Sequence, residues 1–122
     1  MLGEEMHYPK FLDVLKNEIS EYRNVLSEIE ITSFFSAEDL IEKYKENISF
    51  DIIFLDIEMS GLNGIDAAKE IRKFDSKTII IFISSHPNYV FESFEVEALH
   101  FIVKPISKTE FKNVFSRAIS KY

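Results

Sequence analysis

Short apolar runs recur along the chain, and segments with helical periodicity separate them. The runs IIFLD at 52–56, TIIIFI at 78–83 and LHFIV at 99–103 lack the regular polar alternation of a strand with one solvated face. Strands that are buried on both faces have such sequences, and they belong to parallel sheets covered by helices. The sequence therefore predicts an α/β fold with a doubly wound parallel sheet.

Amphipathic segments occupy the intervals between these strands. The predicted helices cover 9–27, a stretch that begins at 36, about 64–73, about 88–95 and a stretch that begins at 107, and a further strand covers 29–35. Ser36 with Asp39, and Ser107 with Glu110, have the spacing of capping boxes that open helices. Without repeats or a linker, the sequence predicts one domain over 1–122.

The composition argues against several classes of function. The net charge is −7 and no basic stripe is present, so direct binding to nucleic acid is not expected. No apolar run has the length of a membrane span, and the amino end lacks the pattern of a secretory signal. The sequence has no cysteine, which rules out disulfides and thiolate zinc sites and agrees with a cytoplasmic location.

A polar residue stands at the carboxyl end of each of three successive strands. These residues are Asp56, Ser84 and Lys104. Ligands of open parallel sheets bind outside the carboxyl ends of the strands, so the three side chains are expected at one site. A carboxylate can attack phosphorus to give an aspartyl phosphate, while an ammonium and a hydroxyl bind phosphoryl oxygens. Mg²⁺ normally completes such a site.

The stretch DIIFLDIEMSGLNGIDAAKEIR resembles the phosphoacceptor segment of bacterial response-regulator receiver domains, whose pattern is D-x-x-M-P-G-x-x-G. Asp56, Met59, Gly61 and Gly64 match this pattern, whereas Ser60 stands where the family usually has proline. The stretch IIIFISSHPNYVFESFEVEALHFIVKPI resembles the remainder of the receiver signature. Its second half is most similar to receivers of LytTR (AgrA/LytR-like) regulators.

The resemblance implies a flavodoxin-like (CheY-like) sheet of order 2-1-3-4-5 and a signalling domain that at most assists its own phosphorylation. By this resemblance Asp56 accepts a phosphoryl group from a sensor histidine kinase, Ser84 is the switch hydroxyl, Lys104 contacts the phosphate and Phe101 is the switch aromatic. It also implies a cis bond before Pro105. Phosphorylation then alters the face formed by the helix at 88–95, the last strand and the last helix, and promotes a homodimer. DNA would be reached only through an output domain outside this chain.

The amino terminus departs from the family pattern. Receivers usually begin with an apolar strand that ends in two adjacent acidic residues, which hold Mg²⁺, but alignment places Met6 and His7 there. The expected metal ligands are therefore Asp56, the backbone carbonyl of Glu58 and Glu5. Three arrangements of the sheet stay open: the second and third strands pair directly, the first six residues form a poor strand between them, or the second strand is displaced or exchanged with another molecule.

Two alternative functions stay open at this point. Without the acidic pair, the chain could be a pseudo-receiver, a protein-interaction module that is not phosphorylated. An unrelated phosphatase with an aspartate nucleophile usually has a second aspartate two residues later, and Glu58 occupies that position here. The phosphatase is therefore the weaker of the two alternatives.

Overall fold

A five-stranded parallel sheet forms the centre of the molecule. The computed structural model describes residues 2–3, 19, 32–34, 36–58 and 62–121. The strands are β1 (Leu2–Gly3), β2 (Ser33–Phe34), β3 (Ile52–Asp56), β4 (Ile79–Ser84) and β5 (His100–Val103), in the spatial order β2-β1-β3-β4-β5. The helices are α1 (Ala37–Lys45), α2 (Gly64–Phe74), α3 (Val90–Ser93) and α4 (Lys108–Ile119). The predicted α/β, CheY-like fold class is confirmed.

The described part of the first strand is short but lies in its ordinary place. Leu2 pairs with Ser33 of β2 on one side and with Phe54 of β3 on the other. The order 2-1-3-4-5 is therefore undisturbed, and of the three arrangements the poor strand is the one observed. Direct pairing of the second and third strands, and displacement of the second strand, are both wrong. A strand of this kind suffices because β2 and β3 supply hydrogen-bonding partners on both sides.

The predicted capping residues open the helices that follow β2 and β5. The Ser36 hydroxyl accepts a hydrogen bond from the Asp39 N–H at 3.2 Å, and the Ser107 hydroxyl accepts one from the Glu110 N–H at 3.0 Å. Each bond satisfies an N–H group that has no partner within the helix. Of the helix predicted at 9–27, the structure describes only Ile19, which is helical and buried. Most of the strand predicted at 29–35 also lies outside the described residues.

The helix predicted at 88–95 takes a different form. A single α-helical turn, α3, lies between 3₁₀ turns at Pro87–Tyr89 and Phe94–Val96, and no side chain caps any of the three segments. The segment ends at Glu97, whose φ of 55° is left-handed. Short uncapped turns of this kind derive little stability from their own hydrogen bonds, so tertiary packing holds the segment in place.

Buried side chains cover both faces of the sheet. One cluster packs α1 and α2 against the sheet, with Leu55 and Phe82 among its members, and the other packs α4 against the opposite face around Phe54 and Phe111. This two-sided burial explains the continuous apolar sequences of β3 and β4. Among the described residues, no helix has the length and apolar character needed to cross a membrane.

Candidate functional site

Asp56 ends β3 as a fully buried carboxylate. Its side chain has no exposed surface. One carboxylate oxygen, Oδ1, accepts a hydrogen bond from the Glu58 N–H at 3.0 Å, and Oδ2 accepts one from the Lys104 ammonium at 2.8 Å. A buried charge without such partners would strongly destabilise the fold. The fold therefore holds an ionisable group at the carboxyl end of its central strand and supplies the bonds that this burial requires.

Lys104 reaches Asp56 from the neighbouring end of β5. Its side chain is only 12% exposed, and its backbone N–H donates to the Ser84 carbonyl at 2.8 Å, which extends the ladder between β4 and β5. The peptide bond between Lys104 and Pro105 is cis, as the resemblance implied. The predicted meeting of Asp56 and Lys104 at one edge of the sheet is thus observed directly.

Burial and ion pairing have opposite effects on the pKa of Asp56. Removal of the carboxylate from water raises the pKa above its ordinary value of 3.8, while the hydrogen bond and the charge of Lys104 lower it. The effect of burial is the larger, so the pKa of Asp56 is raised. The ionised carboxylate is therefore less stable here than in water, which favours its reaction with an electrophile.

Ser84 lies at the end of β4, beside the Asp56–Lys104 pair. Asp56 pairs with Ile83 in the β3–β4 register, so Ser84 is one residue beyond that pair. Its hydroxyl is buried, accepts a hydrogen bond from the His86 N–H at 2.9 Å and donates to the His86 carbonyl at 3.3 Å. The structure therefore brings Ser84 to the site that Asp56 and Lys104 form, with its hydroxyl bonded to the following loop.

Glu58 contributes a side-chain contact that the sequence did not suggest. Its carboxylate oxygen Oε1 accepts a hydrogen bond from the Ser85 N–H at 2.6 Å. Glu58 was singled out for its backbone carbonyl and for its place two residues after Asp56, with no role given to its side chain, and Ser85 was not considered. The one signal in the sequence was the position of Glu58 two residues after Asp56, because side chains there can reach across to the next strand end.

Gly64 allows α2 to begin directly against the end of β3. A Cβ atom at this position would lie 2.7 Å from the Asp56 carbonyl oxygen and 2.8 Å from the Ile57 Cα. The Gly64 N–H donates to the Ile57 carbonyl at 3.1 Å, which fixes the close approach. The glycine of the matched motif thus has a steric role, because it lets the helix and the loop after Asp56 share this space.

Phe101 lies on β5 and packs, partly buried, against the core cluster on the α1 and α2 side of the sheet. Close to it in the sequence, Phe91 and Phe94 expose 76% and 69% of their surfaces on α3 and the turn after it. The predicted switch aromatic is therefore neither fully buried nor free in solvent.

The described residues supply only part of a magnesium site. They contain no group of three or more His, Cys, Asp or Glu side chains that could hold a metal ion. The Asp56 carboxylate and the Glu58 carbonyl are oxygen ligands of the type that Mg²⁺ prefers. Glu5, the third expected ligand, lies outside the described residues, two positions after Gly3 in the sequence.

A buried carboxylate, a lysine ammonium and a hydroxyl at one sheet edge form a site that suits phosphoryl transfer to the carboxylate. Comparison with known families agrees with this chemistry, since the response regulator receiver domain matches residues 10–116. The chain belongs to the receiver-domain family of two-component response regulators. Receiver domains of this family are signalling domains, and they interact with sensor histidine kinases.

Two relatives of the chain are named as sensory transduction proteins. It is 41% identical over 81 residues to the sensory transduction protein LytT of Oceanobacillus iheyensis, which covers 65% of this chain and 31% of that protein. It is 36% identical over 101 residues to the sensory transduction protein LytR of Staphylococcus haemolyticus, which covers 83% of this chain and 34% of that protein. The chain thus spans about a third of the length of these two relatives.

The fold has close matches among solved structures. The response regulator TrrA from Thermotoga maritima, in complex with Mg(2+)-BeF, superposes with a TM-score of 0.77 at 26% identity, over 96% of this chain and 95% of that one. Since the match extends over nearly the whole of both chains, the two proteins share the arrangement of the sheet and its helices.

Proposed function

We propose that this chain is the phosphoacceptor domain of a two-component response regulator, with Asp56 as the phosphorylated residue and the domain covering 1–122. The observation that carries the proposal is the buried ion pair, in which Lys104 binds Asp56 at 2.8 Å at the end of the central strand. A buried carboxylate with its own cation has the elements of a phosphoryl-acceptor site.

In the transfer step, a carboxylate oxygen of Asp56 attacks phosphorus as the bond between phosphorus and the kinase histidine nitrogen breaks. The electron pair of that bond returns to the histidine, so no further reactant is consumed. The Lys104 ammonium then binds a phosphoryl oxygen instead of the free carboxylate. Asp56, the Glu58 carbonyl and Glu5 are the residues that would hold Mg²⁺. The ion would supply positive charge that offsets the negative charge of the phosphoryl group.

Ser84 and Phe101 convert the phosphorylated state into a change of surface. The Ser84 hydroxyl exchanges its bonds with His86 for one to a phosphoryl oxygen, and the loop before α3 moves with it. Phe101 turns inward into the space that the loop leaves. The face formed by α3, β5 and α4 is thereby repacked, which favours a homodimer.

The relatives suggest the setting in which the switch operates. LytT and LytR are both described as sensory transduction proteins, and each is longer than the segment matched here. We expect a cytoplasmic regulator of the LytTR type, with a sensor histidine kinase as phosphodonor and DNA contacted only through an output domain. Transcription is then the process that it controls.

A small phosphodonor tests the proposal. The chain is incubated with acetyl phosphate and Mg²⁺, and its intact mass is measured. We expect a mass gain of one phosphoryl group in the unchanged protein and none in Asp56→Asn, because an amide is not a comparable nucleophile. Asp66→Asn, at an exposed aspartate on α2, is the matched control and should retain the gain. Uptake that persists in Asp56→Asn would contradict the assignment, and no uptake at all would favour a pseudo-receiver.

A further inference from the structure

The Glu58 side chain bridges the ends of two neighbouring strands. It leaves the chain just after β3, and its Oε1 accepts the Ser85 N–H just after β4 at 2.6 Å. The second oxygen, Oε2, is buried and has no hydrogen-bond partner among the described residues. A carboxylate with one short bond and one buried unpaired oxygen is unfavourably placed for a purely structural role. The contact therefore invites a functional explanation.

The Ser85 N–H points to a position that suits an anion. Asp56 pairs with Ile83, and the Ile57 N–H donates to the Ile83 carbonyl at 3.0 Å, so Ser84 and Ser85 continue along the edge of the sheet that presents Asp56. The Ser85 N–H already binds a carboxylate oxygen. A backbone donor in this position can bind a phosphoryl oxygen equally well, because carboxylate and phosphoryl oxygens are both negatively charged hydrogen-bond acceptors.

We infer that the Glu58 carboxylate occupies the place of a phosphoryl oxygen at the Ser85 N–H and competes with the phosphoryl group for it. This inference rests on the proposed function. Glu58 is then a positioning residue that acts through Ser85: it keeps the loop after β4 in its resting form and must withdraw before that N–H can bind phosphate. Phosphorylation is slowed because the hydrogen bond between the Ser85 N–H and the Glu58 carboxylate must first be broken.

Charge strengthens the competition. The Glu58 N–H donates to Asp56 Oδ1 at 3.0 Å, and the Glu58 carboxylate accepts the Ser85 N–H at 2.6 Å, so its negative charge lies at the same edge of the sheet as Asp56. An incoming phosphoryl group brings further negative charge into the same space, and like charges repel strongly where water is scarce. Removal of the Glu58 charge should therefore favour phosphorylation even when the side chain keeps its size.

Three variants separate these effects. Glu58→Gln retains the length and an acceptor oxygen but loses the charge, and Glu58→Ala loses the contact altogether. Glu38→Ala removes an exposed glutamate from the first turn of α1 and is the matched control. Two measurements are made on each chain: the NMR shift and hydrogen exchange of the Ser85 amide without phosphodonor, and the initial rate of phosphoryl uptake from acetyl phosphate with Mg²⁺.

We expect the Ser85 amide proton to move upfield and exchange faster in Glu58→Ala, because a short bond to a carboxylate deshields and protects it. Uptake should be roughly tenfold faster in Glu58→Ala, with Glu58→Gln between it and the unchanged protein, since charge-assisted hydrogen bonds have about this influence on an equilibrium. Glu38→Ala should match the unchanged protein in both measurements.

Each result bears on the inference. If the shift and exchange rate of the Ser85 amide are the same in Glu58→Ala as in the unchanged protein, the hydrogen bond between Glu58 and Ser85 is disproved. If the amide changes but the uptake rates are equal, Glu58 does not compete with the phosphoryl group. Uptake in the unchanged protein that becomes faster in both Glu58 variants, together with an altered Ser85 amide, would support the inference. No uptake in any chain would contradict the proposed function and remove the inference with it, whereas failure of the inference alone leaves uptake at Asp56 intact.

Discussion

At the scale of the residue, the site depends on a carboxylate that lies in a place that disfavours its charged form. Asp56 has no exposed surface, and its stability relies on the Lys104 ammonium and the Glu58 N–H. Buried ion pairs often contribute little net stability, because the desolvation of both charges offsets their attraction. The pair is therefore better explained by reactivity than by stability, and this explanation has consequences for unfolding.

The first consequence concerns the dependence of stability on pH. The pKa of Asp56 is raised in the folded chain above its ordinary value of 3.8, chiefly by burial. Its contribution to stability is therefore fully present below pH 3.8 and is lost as the pH rises through the raised pKa. Asp56→Asn cannot ionise, so its stability relative to the unchanged protein should increase as the pH rises across that window, and at neutral pH it should be the more stable of the two.

Urea unfolding at a series of pH values measures this difference. Asp66→Asn is the matched control for the loss of one carboxylate, since Asp66 is exposed. A difference in stability between Asp56→Asn and the unchanged protein that is the same at every pH would contradict the raised pKa. A difference of the opposite sign at neutral pH would show that the bonds of Asp56 outweigh its burial.

At the scale of the element, the sequence predicted most of what the structure contains, because its signals are local. The strand Ile52–Asp56 was predicted with its observed bounds, and β4 lies one residue further along than the predicted 78–83. The capping residues Ser36 and Ser107 likewise predicted where α1 and α4 begin. The segment at 88–95 was predicted less well, since its form depends on packing against α2 and not on a cap or a repeated pattern.

Gly64 provides a test at this scale, because it joins an element to the site. In Gly64→Ala the new methyl group would meet backbone atoms of Asp56 and Ile57 at 2.7 and 2.8 Å, which no change of side-chain rotamer can relieve. The start of α2 must therefore shift, and we expect the free energy of unfolding to fall by about 2 kcal/mol. Phosphoryl uptake should also fall, because the loop after Asp56 moves with the helix.

Chemical denaturation of Gly64→Ala gives the stability, and the acetyl phosphate assay gives the uptake. Asp66→Ala replaces an exposed residue in the same helical turn and should alter either quantity far less. If Gly64→Ala were as stable as the unchanged protein, as the higher helix propensity of alanine would favour, the close approach of α2 to β3 would be disproved.

At the scale of the whole molecule, the order of the sheet brings distant residues to one edge. Asp56 and Lys104 are separated by 48 positions in the sequence and meet at 2.8 Å because their strands are parallel with β4 between them. The rule that sites form at the carboxyl ends of strands was enough to predict this meeting. It could not predict the bond from Glu58 to Ser85, which depends on the path of two loops.

The first strand could not be predicted from its sequence pattern alone. The amino-terminal sequence offers too few apolar residues for a strand with the usual signature, yet Leu2–Gly3 occupies the position between β2 and β3. The neighbouring strands β2 and β3 define this position, so the place of the first strand depends on its pairing in the sheet and not on its own sequence pattern. Glu5 as a metal ligand remains a prediction from the resemblance.

Chemical trapping of the phosphorylated chain tests the central claim most directly. The protein is treated with acetyl phosphate and Mg²⁺, reduced with borohydride, which converts an aspartyl phosphate into homoserine, and digested for peptide mass spectrometry. We predict homoserine at position 56 and at no other aspartate, with none in the absence of the phosphodonor. Homoserine at Asp51, Asp66 or Asp75, with Asp56 unmodified, would contradict the account.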